Sequence, residues 1–133
     1  MKWTPLILLA AALAASSADA RRSDPRRGPQ GPPVPANCPL QIGFSSYGAG
    51  IDRTTYQAVQ TLLRRDRGVR SVSEHNWGPE GETTLCANTR SRADSTRLFH
   101  RISRQVPARP RGPVSLRTRE GLRFHAPAQR RGR

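Results

Sequence analysis

Cys38 and Cys86 are the only cysteines in this chain of 133 residues. They form no CxxC redox motif, and in an oxidising compartment a lone pair reads as a disulfide. The bridge closes a loop of roughly 50 residues, for which the chain-entropy model gives roughly 4 kcal/mol. Ser45 or Ser46 with His75 and Asp52 supplies the residue types of a hydrolytic triad, but no nucleophile motif surrounds either serine. His75, Trp77, Glu80 and Glu82 gather in one short stretch. Metal binding needs several ligands at helix or knuckle spacing, whereas His75, His100 and His125 stand alone in the sequence. No catalytic residue, metal or cofactor is therefore assigned.

Two other stretches offer charge chemistry. Gly48-Ala49-Gly50 precedes a helical pattern, where free backbone N–H groups attract anions. Asp52 occupies the N-cap there, so its carboxylate caps those groups and repels a phosphate, and the fragment is too short for a dinucleotide fingerprint. The second stretch is a basic helix face made by Arg92, Arg97, His100, Arg101 and Arg104. Arg97 with Arg101, and Arg101 with Arg104, are like-charge neighbours that cost a few tenths of a kcal/mol each in an isolated helix. An anionic partner would offset that cost. A plain solvated face is the competing reading.

The elements that position these groups follow from periodicity. Leu40, Ile42 and Phe44 alternate with Gln41, Gly43 and Ser45, which predicts a strand with one buried face. After the glycine turn, Asp52 caps a helix whose stripe is Tyr56, Val59, Leu62 and Leu63, with Ile51 and Tyr56 as a hydrophobic staple and Gly68 as its stop. A weak strand runs from Val69 to about Trp77, the turn Gly78-Pro79-Glu80-Gly81 follows, and Thr83, Leu85 and Ala87 alternate on a third strand. Ser91-Arg92-Ala93-Asp94 starts a second helix with stripe Leu98, Phe99, Ile102 and Val106, ended by Pro107. Val114, Leu116 and Thr118 make a last strand.

The order βαββαβ predicts an α+β, ferredoxin-like split-βαβ sandwich: one four-stranded antiparallel sheet with both helices on one face. In that topology the start of the first strand lies beside the end of the third, which is where Cys38 and Cys86 fall. One conflict stands against the pairing, because Cys38 shares the parity of buried Leu40 while Cys86 is opposite in parity to buried Leu85. The bridge requires Pro39 to release Cys38 from the alternation. The uncovered sheet face then carries Gln41, Gly43, Ser45, Ser73, His75, Thr84, Asn88, Ser115 and Arg117. It lacks the central aromatics on which single-stranded nucleic acid stacks, so specific nucleic-acid binding is not expected.

Residues 1–20 have the parts of a secretory signal: Lys2, an uncharged apolar run from Leu6 to Ala15, and Ala18-Asp19-Ala20 as a small-x-small cleavage site. That run is shorter than the roughly 20 residues a membrane span needs, and no transmembrane segment is expected in the mature chain. Residues 21–37, rich in Pro, Gly and Arg, read as a linker, residues 38–118 as the folded domain, and residues 119–133 as a basic, disordered tail in which Leu122 and Phe124 can dock. The expected location is periplasmic or secreted.

The formal net charge is +14. A basic exported chain is drawn to anionic surfaces such as lipopolysaccharide, teichoic acid or phospholipid headgroups. Every basic residue after Lys2 is arginine, so a compositional bias explains the excess as readily as binding does. The stretch SRADSTRLFHRI is similar to the second helix of sporulation-related repeat domains, exported bacterial domains of this architecture that bind cell-wall glycan. The likeness covers that helix alone and carries over no residue. The functional expectation is a small exported, non-catalytic binding module contacting an anionic envelope component or a protein partner. The alternative is a small exported hydrolase-like enzyme using the polar sheet face near His75.

Overall fold

The structure, a computed structural model, describes residues 34–129. The expected signal segment, the linker up to residue 33 and residues 130–133 lie outside the described residues. The chain order is β1 (Leu40–Phe44), α1 (Arg53–Arg65), β2 (Val69–Asn76), β3 (Thr83–Thr89), α2 (Arg92–Gln105), β4 (Val114–Thr118) and β5 (Arg123–Ala126). All pairings are antiparallel, and the strands lie in the order β2-β3-β1-β4-β5. The fold is α+β with two helices and a five-stranded sheet, broadly compatible with the ferredoxin-like class but one strand larger than expected.

The extra strand, β5, comes from the start of the expected tail. Gly121, at φ +106°, takes the left-handed conformation that the β4–β5 turn requires. Thr118 accepts from Gly121 N through its carbonyl and from Leu122 N through its hydroxyl, and its own N–H donates to Leu122 O. Leu116 then faces Phe124 and Val114 faces Ala126 on the core side. Only one large apolar residue marks this strand, and Arg123 and His125 alternate with it, so its composition reads as tail.

One core joins the layers. Leu40, Ile42 and Phe44 of β1 meet Leu85 and Ala87 of β3, Val114 and Leu116 of β4, and the helix stripes Val59-Leu62-Leu63 and Leu98-Phe99-Ile102. Both helices therefore cover the same sheet face. Their starts are capped as the sequence predicts: the Asp52 carboxylate accepts from Thr55 N at 3.0 Å, and the Ser91 hydroxyl accepts from Asp94 N at 3.1 Å. Tyr56 is only partly buried and meets Phe44 edge-on at 5.2 Å, while Ile51 is buried in the core. Burial and the nearby Glu74 carboxylate push the Tyr56 phenol up to about 12.

Gly68 has a different role from the one the sequence implies. The α1 cap is Asp66, whose N–H returns to Leu62 O, and the φ of Gly68 is not positive. A Cβ at Gly68 would stand 2.6 Å from Asp94 Oδ1 and from Arg97 Nη2. A side chain at Gly68 would therefore push against the Asp94 and Arg97 side chains of the ion-pair cluster, and the position is not one that needs a left-handed backbone.

The disulfide forms, with Cα atoms 5.9 Å apart. β1 begins only at Leu40, and Cys38 belongs to the turn before it, donating its N–H to Pro35 O. Pro39 thus takes Cys38 out of the strand alternation. Its sulfur can reach Cys86, which stands across from Gln41 and Ser73.

Candidate functional site

The sheet face turned away from the helices is built in rows by strand register. One row runs Arg123, Arg117, Gln41, Cys86, Ser73 across the five strands, and the next runs His125, Ser115, Gly43, Thr84, His75. Gly43 is the low point. A Cβ there would stand 2.7 Å from Ser115 Oγ, so a side chain at this position would push that hydroxyl aside and fill the dent that glycine leaves. Around the dent is an open groove of about 540 Å³. Gln41, Thr84 and Ser115 line it with groups that both donate and accept, while Arg117, Arg123 and His125 line its β4–β5 side.

Arg117 and Arg123 are cross-strand partners, and both are exposed. Like charges directly opposite on an antiparallel pair destabilise it by a fraction of a kcal/mol. Among the described residues neither has an ion-pair partner; the nearby Glu120 is 3.7 Å from Arg119 instead. No carboxylate lines the groove. Sequence reasoning placed Arg117 on this face but missed Arg123 and His125, whose only signal was their alternation with Phe124 and Ala126.

The basic α2 face divides. Arg97 holds Asp66 through two hydrogen bonds of 2.8 Å and contacts Asp94 at 3.1 Å, and Arg101 stands 3.5 Å from the same Asp66. The Arg97 hydrogen bonds hold the Asp66 carboxyl well down, at about 2, against the opposing effect of burial, with Gly68 N–H helping. Asp94 is lowered by the same guanidinium and by the Ser91 hydroxyl. An anion that offsets this face is therefore intramolecular. Arg92, His100 and Arg104 are exposed.

The residue types of the triad have structural occupations. Burial pushes the Asp52 carboxyl up, but hydrogen bonds from Thr55 N and Arg111 N outweigh it and leave the group lowered. Each of its oxygens thus has a backbone donor. The Ser46 hydroxyl donates to Glu80 and accepts from Gly48 N and Gly50 N, tying the glycine loop to the β2–β3 hairpin. His75 is buried on β2, with Nε2 3.0 Å from Ser73 Oγ. Trp77 and Tyr47 are exposed at this end of the sheet. Glu82 is buried and accepts from Glu80 N within the hairpin.

Among the described residues no three His, Cys, Asp or Glu side chains come together to hold a metal ion, and no helix is long and apolar enough to cross a membrane. No family model, curated protein or solved structure matches the chain.

Proposed function

We propose that this is an exported, non-catalytic binding module that holds an anionic component of the cell envelope on the open face of its sheet. The observation that carries the reading is the cross-strand pair Arg117 and Arg123, exposed and without ion-pair partners among the described residues, beside the dent at Gly43. An anion bridging the two guanidinia removes their mutual repulsion and meets strong, charge-assisted donors. The α2 face is a weaker candidate, because Arg97 and Arg101 already face Asp66. A disulfide is compatible with an oxidising location, and together with the signal-like residues 1–20 it supports a periplasmic or secreted protein.

The test is retention on an anionic polymer as salt rises. Replacing Arg117 and Arg123 by Gln is expected to weaken binding about tenfold or more, since each charged hydrogen bond contributes about 1.5–3 kcal/mol. The charge-matched change of Arg130 and Arg131 to Gln is expected to matter far less, because it leaves the Arg117 and Arg123 pair in place. Equal losses from the two variants would show that net charge alone is being read.

A further inference from the structure

A second basic groove lies on the opposite surface of the molecule. It runs between the two helices, about 670 Å³ in volume, with Thr54, Gln57 and Thr61 of α1 along one wall and Arg101 and Gln105 of α2 along the other. Arg65 and Arg67 close one end, beside Asp66. That carboxylate is already held at 2.8 Å by both arms of Arg97, which lies outside the groove lining. Arg65 and Arg67 are exposed, and among the described residues neither has an ion-pair partner. The groove thus carries uncompensated positive charge at one end, while along its length Thr54, Gln57, Thr61 and Gln105 offer neutral hydrogen-bonding groups and Arg101 faces Asp66 at 3.5 Å.

We infer that the protein binds a phosphate-bearing linear polymer in both grooves and thereby cross-links two chains of it. The inference rests on the reading of the open-face groove given above. The helices and the open sheet face are opposite sides of a two-layer sandwich, so a single strand lying in one groove must wrap around the molecule to enter the other. Two strands, one on each side, fill both without that bending. Open troughs with arginines at one end suit a flexible polyanion, whose repeated charges attract the arginines while its backbone follows the trough. A flat bilayer cannot enter both sides of one molecule.

Inorganic polyphosphate is the probe. With a short oligophosphate, calorimetry on the full chain is expected to give two sites per protein; with long chains, light scattering should report clusters. Arg65→Gln with Arg67→Gln, and separately Arg117→Gln with Arg123→Gln, should each reduce the stoichiometry to one and abolish clustering while the variants still bind. Arg130→Gln with Arg131→Gln removes the same charge and should leave both readouts intact. Thermal unfolding of each variant confirms that it is folded, and sedimentation of the wild type without polymer should show a monomer.

One site in the wild type, or clustering that survives either groove variant, overturns the cross-linking inference. So does clustering that the tail variant abolishes, or a protein that is already dimeric. If the Arg65 and Arg67 variant loses a site while the Arg117 and Arg123 variant keeps two, the open-face reading itself fails. Clustering of phosphatidylglycerol vesicles without any binding of polyphosphate would replace the polymer by a membrane and overturn the inference as stated.

Discussion

Asp66 terminates α1, accepts both arms of Arg97 and the Gly68 N–H, and keeps only 5% of its side chain exposed. Its ordinary value of 3.8 falls to about 2 on folding, so the folded state favours the ionised form. The ion pair therefore contributes fully above about pH 4, and the contribution is lost as pH falls through 2. Its size is at most about 2 kcal/mol, reduced by solvent screening because Arg97 is 47% exposed. Asp66→Asn should lower stability to urea by about 1–2 kcal/mol at pH 6. That deficit should shrink towards zero near pH 2; a deficit that persists there would assign the effect to packing and not to ionisation. The cysteines act through the unfolded chain instead. Changing Cys38 and Cys86 to Ser should cost roughly 3–4 kcal/mol in the same assay, and the wild type should titrate no free thiol after denaturation without reductant.

At the scale of elements, β5 and β1 make the most exposed claims. If β5 is a strand of the sheet, Phe124 packs on the core edge and Ala126 is buried. Phe124→Ala should then cost about 1–2 kcal/mol, less than a fully buried phenylalanine because Phe124 is only partly covered. A tail residue would cost nothing measurable. Gly43 tests the groove from below. Its added Cβ would meet only the Ser115 hydroxyl, a side-chain end that can rotate, so Gly43→Ala should cost no more than about 1 kcal/mol. Gly43→Val, which also fills the dent, should reduce polymer binding while leaving a folded domain. Unchanged binding by a folded Val variant would place the ligand elsewhere.

Across the whole molecule, the sheet order separates charge. Residues 71–89, which span most of β2 and all of β3, contain Glu74, Glu80 and Glu82 and no Lys or Arg, although the chain holds 23 Lys and Arg residues in all. β4 and β5 bring Arg117 and Arg123 to the other side of the sheet. The large positive charge is thus not uniform, and on the sheet an anionic partner of the kind proposed would be drawn to the β4–β5 side rather than to β2 and β3. Binding should weaken steeply with salt as the partner's counterions are no longer released to dilute solution. Glu74→Gln, which raises the net charge by one at the far side, should alter affinity much less than loss of Arg117. A comparable change from both would indicate binding governed by the overall field.

Much of the fold was legible because its signals are short-range. Alternation of Leu40, Ile42 and Phe44, the stripes of both helices, and the caps Asp52 and Ser91 are each read within a few residues, since the strand and helix periods and the reach of a capping side chain are local properties. Two cysteines in a chain with a signal-like start were enough to name the disulfide. The sequence by itself therefore determined the helices, four strands, the identity of the buried faces and one covalent staple. The tertiary structure decided the rest. β5 is short and becomes a strand only because β4 offers it an edge and a core rim for Phe124. Arg97 and Asp66 lie 31 residues apart and meet because two helices pack on one face, which turned Arg97 and Arg101, two of the five residues of an apparent anion-binding helix surface, towards an internal carboxylate. Arg117 and Arg123 face each other through register, and the dent at Gly43 exists only because β4 runs beside β1. Contacts of this kind depend on strand order and on the close approach of elements, which local periodicity does not encode.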